Sequence, residues 1–198
     1  MSKIDFESED KKLEWEEVSC EHIVSDEWID IRKSAYRFPD GSVFEPFYSY
    51  SRRDFVVIVA TDTDGNYICV RQYRQGIGQV TTEFVAGGIE RSDGKQYGGP
   101  EDAEDALDAA KRELAEETGY GSDEWSFLMK IPSNATIADN HAYLFVAKNC
   151  RRIQDQSLDE TEFLNVKTIP KDDLEELIKE EKFQQANHVL AYLLSLRA

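Results

Sequence analysis

Cysteine is scarce in this chain, cations are few beside its acids, and no long apolar run is present. The 198 residues include only three cysteines, Cys20, Cys69 and Cys150, far apart, odd in number and without a C-x-x-C pair. That excludes a disulfide-stapled scaffold and predicts free thiols in a reducing compartment. No apolar stretch is long enough to cross a bilayer, and the opening MSKIDFESEDKKLEWEEV has no apolar signal-like core, so the expected location is cytoplasmic, without a membrane partner. The 23 Lys and Arg against 40 Asp and Glu give a formal charge of −17. Such a chain lacks the clustered cations that nucleic acid or an anionic membrane requires. A small phosphorylated ligand remains compatible, because a few local arginines and a metal ion override the global field. His22, His141 and His188 show no paired ligand spacing, which assigns them structural roles. Internal repeats and low-complexity segments are also missing.

What is present suffices for one sizeable core: 40% of residues are hydrophobic and 11% aromatic. Residues 1–12 are polar and read as a loose acidic tail. Residues 13–51 alternate apolar and polar side chains near Trp15 to Val24, Trp28 to Phe38 and Val43 to Ser51, with a Pro39-Asp40-Gly41 turn, and predict a small antiparallel sheet. From residue 52 to 198 the pattern is mixed. Strands are expected over Asp54 to Thr61, Tyr67 to Tyr73, Thr81 to Ala86, Trp125 to Ile131, His141 to Ala147 and Phe163 to Ile169. Helices are expected over Pro100 to Gly119, Lys171 to Glu181 and Phe183 to Leu196. The predicted class is α/β (α+β), a mixed sheet between helices with a small antiparallel sheet at the N-terminus.

The chemistry concentrates in Arg112-Glu113-Leu114-Ala115-Glu116-Glu117-Thr118-Gly119-Tyr120, with Glu104 upstream. Glu113 and Glu117 are i, i+4, and Glu116 is i+3 from Glu113, so a helix crowds all three carboxylates on one side. Like charges so spaced repel by roughly a few tenths of a kcal/mol per pair. An apolar stripe of Ala103, Ala106, Leu107, Ala110 and Leu114 packs the same helix on a sheet. Hard oxygen ligands in this array suit Mg²⁺ or Mn²⁺, which relieve the repulsion and bind phosphate oxygens. The bland alternative, a solvated acidic face, requires the placement of Arg112, three glutamates, Gly119 and Glu104 to be coincidental.

These residues resemble a Nudix box, G-x5-E-x7-R-E-U-x-E-E-x-G-U with U aliphatic. The string fits from Gly98, with Tyr120 the departure. The flanks resemble the ADP-ribose and ADP-sugar pyrophosphatase branch: Arg71-Gln72-Tyr73-Arg74 is similar to its Q-Y-R strand end, and Glu83-Phe84-Val85-Ala86-Gly87-Gly88-Ile89-Glu90 to its E-L-P-A-G-x-I-E segment. By that match Gly87 begins the box. It precedes Glu104 by 17 positions where the pattern has 6, an insertion of 11 residues, of which Arg91 to Gly99 is rich in turn formers. A proline usual some sixteen residues past the box is replaced by Ala135, within Asn134-Ala135-Thr136.

The resemblance implies a Nudix fold and Mg²⁺-dependent hydrolysis of the pyrophosphate bond of a nucleoside diphosphate sugar, ADP-ribose giving AMP and ribose 5-phosphate. GDP-mannose and UDP-glucose are alternative substrates, and a non-catalytic nucleotide-sugar sensor is the alternative of another class. Glu113, Glu116, Glu117 and the Ala86 carbonyl are implied as metal ligands, Mg²⁺ first and Mn²⁺ second. Arg112 fixes a box glutamate and Glu104 buttresses loop and helix. The loop Leu158-Asp159-Glu160-Thr161-Glu162-Phe163 resembles the acidic loop that supplies the base, with Glu160 the candidate and Glu162 a further metal or water contact. Arg74 is read as a phosphate contact or a structural arginine, Glu83 as a ribose or base contact, and Trp28 as an adenine stack or a buried aromatic. A homodimer joined through residues 13–51 is implied in the same way.

Overall fold

The computed structural model describes residues 7–98 and 102–198. Of the expected tail, residues 1–6 lie outside the described residues and Glu7–Asp10 form a single helical turn, α1. Three strands follow, β1 (Glu16–Ser25), β2 (Asp30–Arg37) and β3 (Val43–Ser51), in one antiparallel sheet ordered β1-β2-β3. Five rings, Trp15, Tyr36, Phe38, Phe44 and Phe47, meet one another tilted or edge-on with centroids 4.5 to 6.2 Å apart. Such contacts add about 0.5–1.5 kcal/mol per pair beyond burial. Strand β2 starts at Asp30 and not at Trp28 as the alternation suggests. The Asp26 carboxylate accepts the N–H groups of Trp28 and Ile29, at 2.8 and 3.0 Å, and turns the chain there.

The second sheet has seven strands: β4 (Phe55–Asp62), β5 (Tyr67–Arg74), β6 (Gln79–Gly88), β7 (Tyr120–Gly121), β8 (Glu124–Pro132), β9 (His141–Arg152) and β10 (Leu164–Ile169). Their order is β10-β5-β6-β4-β9-β7, with β8 on β9. Only β4 and β9 run parallel among these pairs, so the sheet is mixed. The unbroken apolar run of β4 is explained by cover on both faces. Val56, Ile58 and Ala60 share a core with helix α2 (Ala106–Thr118), while Val57 and Val59 join α3 (Lys171–Lys179) and α4 (Ala186–Ser195) on the other side. Fully burying each of these valine and isoleucine side chains contributes roughly 1.5–3 kcal/mol.

The helix bearing the glutamates starts later than expected. Pro100 and Glu101, read as its first turn, lie outside the described residues, and Ala103 forms an isolated bridge with Arg91. The first turn begins at Ala106, because the Asp105 side chain caps it by accepting the N–H groups of Leu107 and Asp108 at 2.8 and 3.3 Å. Ala109, absent from the expected stripe, is buried with Ala110 and Leu114. Gly119, at φ +76, ends the helix in the left-handed conformation. Tyr120, the aromatic departure, packs against the core that α2 shares with β4.

The two sheets are joined by Tyr50, whose N–H donates to Ile137 O at 2.8 Å, and by Asp139, which accepts from Arg32 at 2.9 Å and from Ser51 Oγ. Between them lies a cavity of about 940 Å³.

Candidate active site

Strand β6 ends in Gly87-Gly88 directly against α2. A Cβ added to Gly87 would overlap the Glu113 carboxylate, so a residue without a side chain is required there. Gly98 lies instead beside Arg91 at φ +132. Gly87 is therefore the glycine that touches a glutamate of the motif, and the intervening residues leave that contact intact.

Arg112 organises the charged cluster. Its Nη1 donates to Glu113 at 2.9 Å and to Glu116 at 3.1 Å, and its Nη2 donates to Glu104 at 2.6 Å and to the Gly88 carbonyl at 3.1 Å. Glu104 sits in the loop before the helix, where it also accepts the Glu90 N–H at 2.8 Å. Burial alone would raise the Glu104 carboxyl, but Arg112 and that N–H hold it below its ordinary value. The same partners keep the Arg112 guanidinium charged despite its burial.

Glu113 and Glu117 behave differently. Glu113 is 8% and Glu117 3% exposed, and Oε2 of Glu117 has no hydrogen-bond partner among the described residues. Burial pushes Glu113 up to about 7, against the pull of Arg112 and with the charges of Glu162 and Glu116 adding to the rise. Burial also drives Glu117 well above the usual carboxylate range, and the charges of Glu113 and Glu162 reinforce it. The Ala86 backbone supplies one compensating hydrogen bond to Glu117. Glu116 is more open, with 42% of its side chain exposed.

The acidic loop reaches this cluster because it is fastened to the end of α2. Ser157 N–H donates to Glu116 O at 2.9 Å, Gln156 Nε2 to Glu117 O at 2.7 Å, and Gln154 Nε2 to Ala115 O at 3.2 Å. The first two bonds satisfy carbonyls of the last turn, which a helix end leaves without intrahelical partners, and the third adds to the Ala115 carbonyl, which already accepts the Gly119 N–H. Glu162 accepts the Asp159 N–H at 3.1 Å and is the loop carboxylate whose charge acts on Glu113 and Glu117, whereas Glu160 is exposed at the turn. The two glutamines carry no sequence signal that would have singled them out.

The flanking candidates are placed otherwise. Arg74 and Glu83 are paired with each other, Nε to Oε1 at 2.9 Å and Nη2 to Oε2 at 2.5 Å. Glu83 is fully buried and accepts in addition from Thr81 Oγ1 and, at 3.3 Å, from Gln185 Nε2. Of the two readings for Arg74, the structural one describes its contacts, and the Glu83 carboxylate is not presented to a ligand. Next to it, the buried His188 accepts the Phe84 N–H through Nδ1 at 3.1 Å, and burial lowers its pKa to about 4. Trp28 is 58% exposed, so the buried-aromatic reading fails.

Among the described residues no three acidic, histidine or cysteine side chains already form a closed ligand set. The donor chemistry nevertheless fits a divalent cation. Glu117 has an orphaned buried oxygen, Glu113 is held against a glycine cradle, and both carboxylates are crowded by neighbouring negative charge. Residues 51–192 match the model of the Nudix domain. The chain belongs to the Nudix family. This Nudix protein is 26% identical over 188 residues to a methanol dehydrogenase activator of Bacillus methanolicus, covering 91% of this chain and 92% of that one. It is 25% identical, with the same coverage, to an ADP-ribose pyrophosphatase of Bacillus subtilis (strain 168). Its fold superposes on a crystal structure of an ADP compounds hydrolase with a TM-score of 0.77 at 22% identity, covering 92% of each chain. The resemblance drawn from the box and its flanks is borne out, as are the hydrolase class and the fold class.

Proposed function

We propose that this Nudix hydrolase cleaves the pyrophosphate bond of a nucleoside diphosphate sugar in a Mg²⁺-dependent reaction, with ADP-ribose giving AMP and ribose 5-phosphate. The observation that carries the reading is the pair of buried, charge-crowded carboxylates Glu113 and Glu117 beside Gly87. Glu113, Glu116, Glu117 and the Ala86 carbonyl would hold the cation. When bound there, Mg²⁺ supplies charge neutralisation for the diphosphate and for the leaving oxygen. Arg112 orients Glu113 and Glu116 through its two Nη1 contacts. In the cleavage, a water oxygen adds to one phosphorus, the bridging oxygen leaves with the other phosphate, and a loop carboxylate takes the water proton. Glu162 is favoured for that task because its charge already acts on the box glutamates, and Glu160, exposed at the neighbouring turn, is the other candidate. Mn²⁺ is the second choice of metal, and GDP-mannose and UDP-glucose are the alternative substrates.

The protein acts as a homodimer in this proposal. Support comes from the exposed apolar side chains of the small sheet and its flanks, among them Trp15 at 51%, Val43 at 50%, Phe44 at 54% and Tyr48 at 51%. A cytoplasmic setting is supported by three free cysteines; no described helix is long and apolar enough to cross a membrane. The test is release of AMP from ADP-ribose, followed beside GDP-mannose and UDP-glucose, with and without Mg²⁺. Metal-dependent AMP formation, lost more completely in Glu162→Gln than in Glu160→Gln, is the expected result. Binding of ADP-ribose without any turnover would instead favour a sensor.

A further inference from the structure

Of the segment that splits the box, residues 91–98 and 102–103 are described; they have no part in holding the glutamates, yet they are folded and pinned. At its base Arg91 and Ala103 pair as an antiparallel bridge, and Ser92 N–H donates to Asp102 O at 2.8 Å. The Arg91 guanidinium bonds Asp93 at 3.0 Å and Asp102 at 3.3 Å. Gly94, at φ +73, makes the turn, and the Asp93 carboxylate accepts the Lys95 N–H at 3.1 Å.

Held at its base, the segment extends across to the small sheet. Gln96 N–H donates to Glu27 O at 3.1 Å, and the Tyr97 hydroxyl lies 3.4 Å from the Ser25 hydroxyl. Both contacts fall where β1 turns into β2, the turn that carries Trp28. The inserted residues thus become one wall of the cavity of about 940 Å³, where Tyr97 stands among Arg52, Arg53, Asp30 and Asp139.

That cavity adjoins the glutamate site without containing it. Glu104 and Ile89 line it, whereas Glu113, Glu116 and Glu117 do not. A ligand whose diphosphate lies at the box has beside it a volume at the upper end of what small-molecule sites offer. Arg52 and Arg53 add two cations to a lining that also holds Asp30, Asp54, Glu104 and Asp139, and the charge of Arg53 acts on Glu104. Tyr97 is the partly buried aromatic that the insertion adds to the lining, and an aromatic face holds a flat heterocycle whatever its hydrogen-bonding edge.

We propose that the insertion is a specificity wall, in which the ring of Tyr97 stacks on the base of the substrate's nucleoside half while the backbone contact of Gln96 fixes the wall to the small sheet. The proposal rests on the nucleoside diphosphate sugar reading, and its test is independent of turnover. Calorimetric titration of the full-length chain with AMP and with ribose 5-phosphate, without metal, reads the two halves of the ligand separately. Tyr97→Ala should weaken AMP about tenfold and leave ribose 5-phosphate unchanged, and Tyr97→Phe, which keeps the ring, should bind AMP within about twofold of the wild type. Tyr97→Leu fills the space without an aromatic face and should behave like Tyr97→Ala; it serves if the alanine variant fails to fold. The proposal is overturned if the variants lacking the ring bind AMP like the wild type, if Tyr97→Phe weakens AMP as much as they do, or if the loss falls on ribose 5-phosphate. A ring-dependent AMP site in a protein that hydrolyses no nucleotide sugar would sink the catalytic reading and leave the wall standing.

Discussion

Two sets of buried glutamates lie close together in this protein and are treated in opposite ways. Glu83 is fully buried, but it accepts from Arg74, Thr81 and Gln185, and Arg74 and Thr81 hold its carboxyl below the ordinary value in spite of burial. Glu113 and Glu117 are almost as deeply buried; Arg112 bonds only Glu113 of the two, Glu117 has the charge of Arg74 and one backbone contact, and both are raised all the same. The charge of Glu83 is complete within the fold. That of the box pair is not, and this incompleteness is what a folded chain tolerates where a cation is to be bound.

The contrast can be broken from either side. The largest effect on stability is expected from Glu83→Ala, which removes the carboxylate and leaves the Arg74 guanidinium without its partner. Breaking a buried pair costs about 3–5 kcal/mol, and the lower end applies because 34% of the Arg74 side chain is already exposed and can turn toward water. Urea unfolding of the variant against the wild type measures it. Glu117→Gln should do the reverse: metal-free stability rises by about 1 kcal/mol or more as a repelled charge disappears, while hydrolysis falls on the order of 100-fold or more. Stability and activity moving in opposite directions would mark the residue as a functional one.

The comparison is sharpened further through pH. Glu113 rises from an ordinary 4.5 to about 7 on folding, so its protonated form is the one the folded state prefers. Its stabilising contribution is fully present below about 4.5 and is lost as the pH climbs through 7, and Glu117 moves in the same direction. Glu83 and Glu104 are lowered, and their contributions are lost only in more acid solution. Metal-free protein should therefore lose roughly 3 kcal/mol as the pH is raised from about 4.5 to about 8, since each tenfold difference in proton affinity between folded and unfolded chain is worth about 1.4 kcal/mol. Glu113→Gln should flatten much of that slope in urea titrations run across the interval.

The sequence makes the box legible because its information is local: one helical period places Glu113, Glu116 and Glu117 together whatever surrounds them. The pairing of Arg74 with Glu83 is a different kind of information. It depends on the register of β5 with β6, which sets Arg74 opposite Gln79 and Val70 opposite Glu83, leaving the two charges on one face at a span that only a long side chain bridges. Taken singly, Glu83 reads as a ribose or base contact and Arg74 as a phosphate contact or a structural arginine; register makes them partners. The helix start is displaced for a related reason, since Pro100, Glu101 and Asp102 suit a first turn as well as Asp105 does, and only the cap geometry separates them. Gly87 is identifiable as the start of the box from its flanks, and its approach to Glu113 gives that choice a steric reason. The wall built by Tyr97 is not legible at all, because nothing in a string of turn formers tells which surface they fold against.

The central claim, that Glu113 and Glu117 are left incomplete for a cation, is tested most directly by thermal unfolding at about pH 8 with and without millimolar Mg²⁺. The wild type should be stabilised by several degrees, as expected for a ligand that binds only the folded state, and Glu117→Gln should lose most of that gain while Glu83, in the same samples, stays intact. A wild type indifferent to Mg²⁺, or a Glu117→Gln variant stabilised as much as the wild type, would contradict the account.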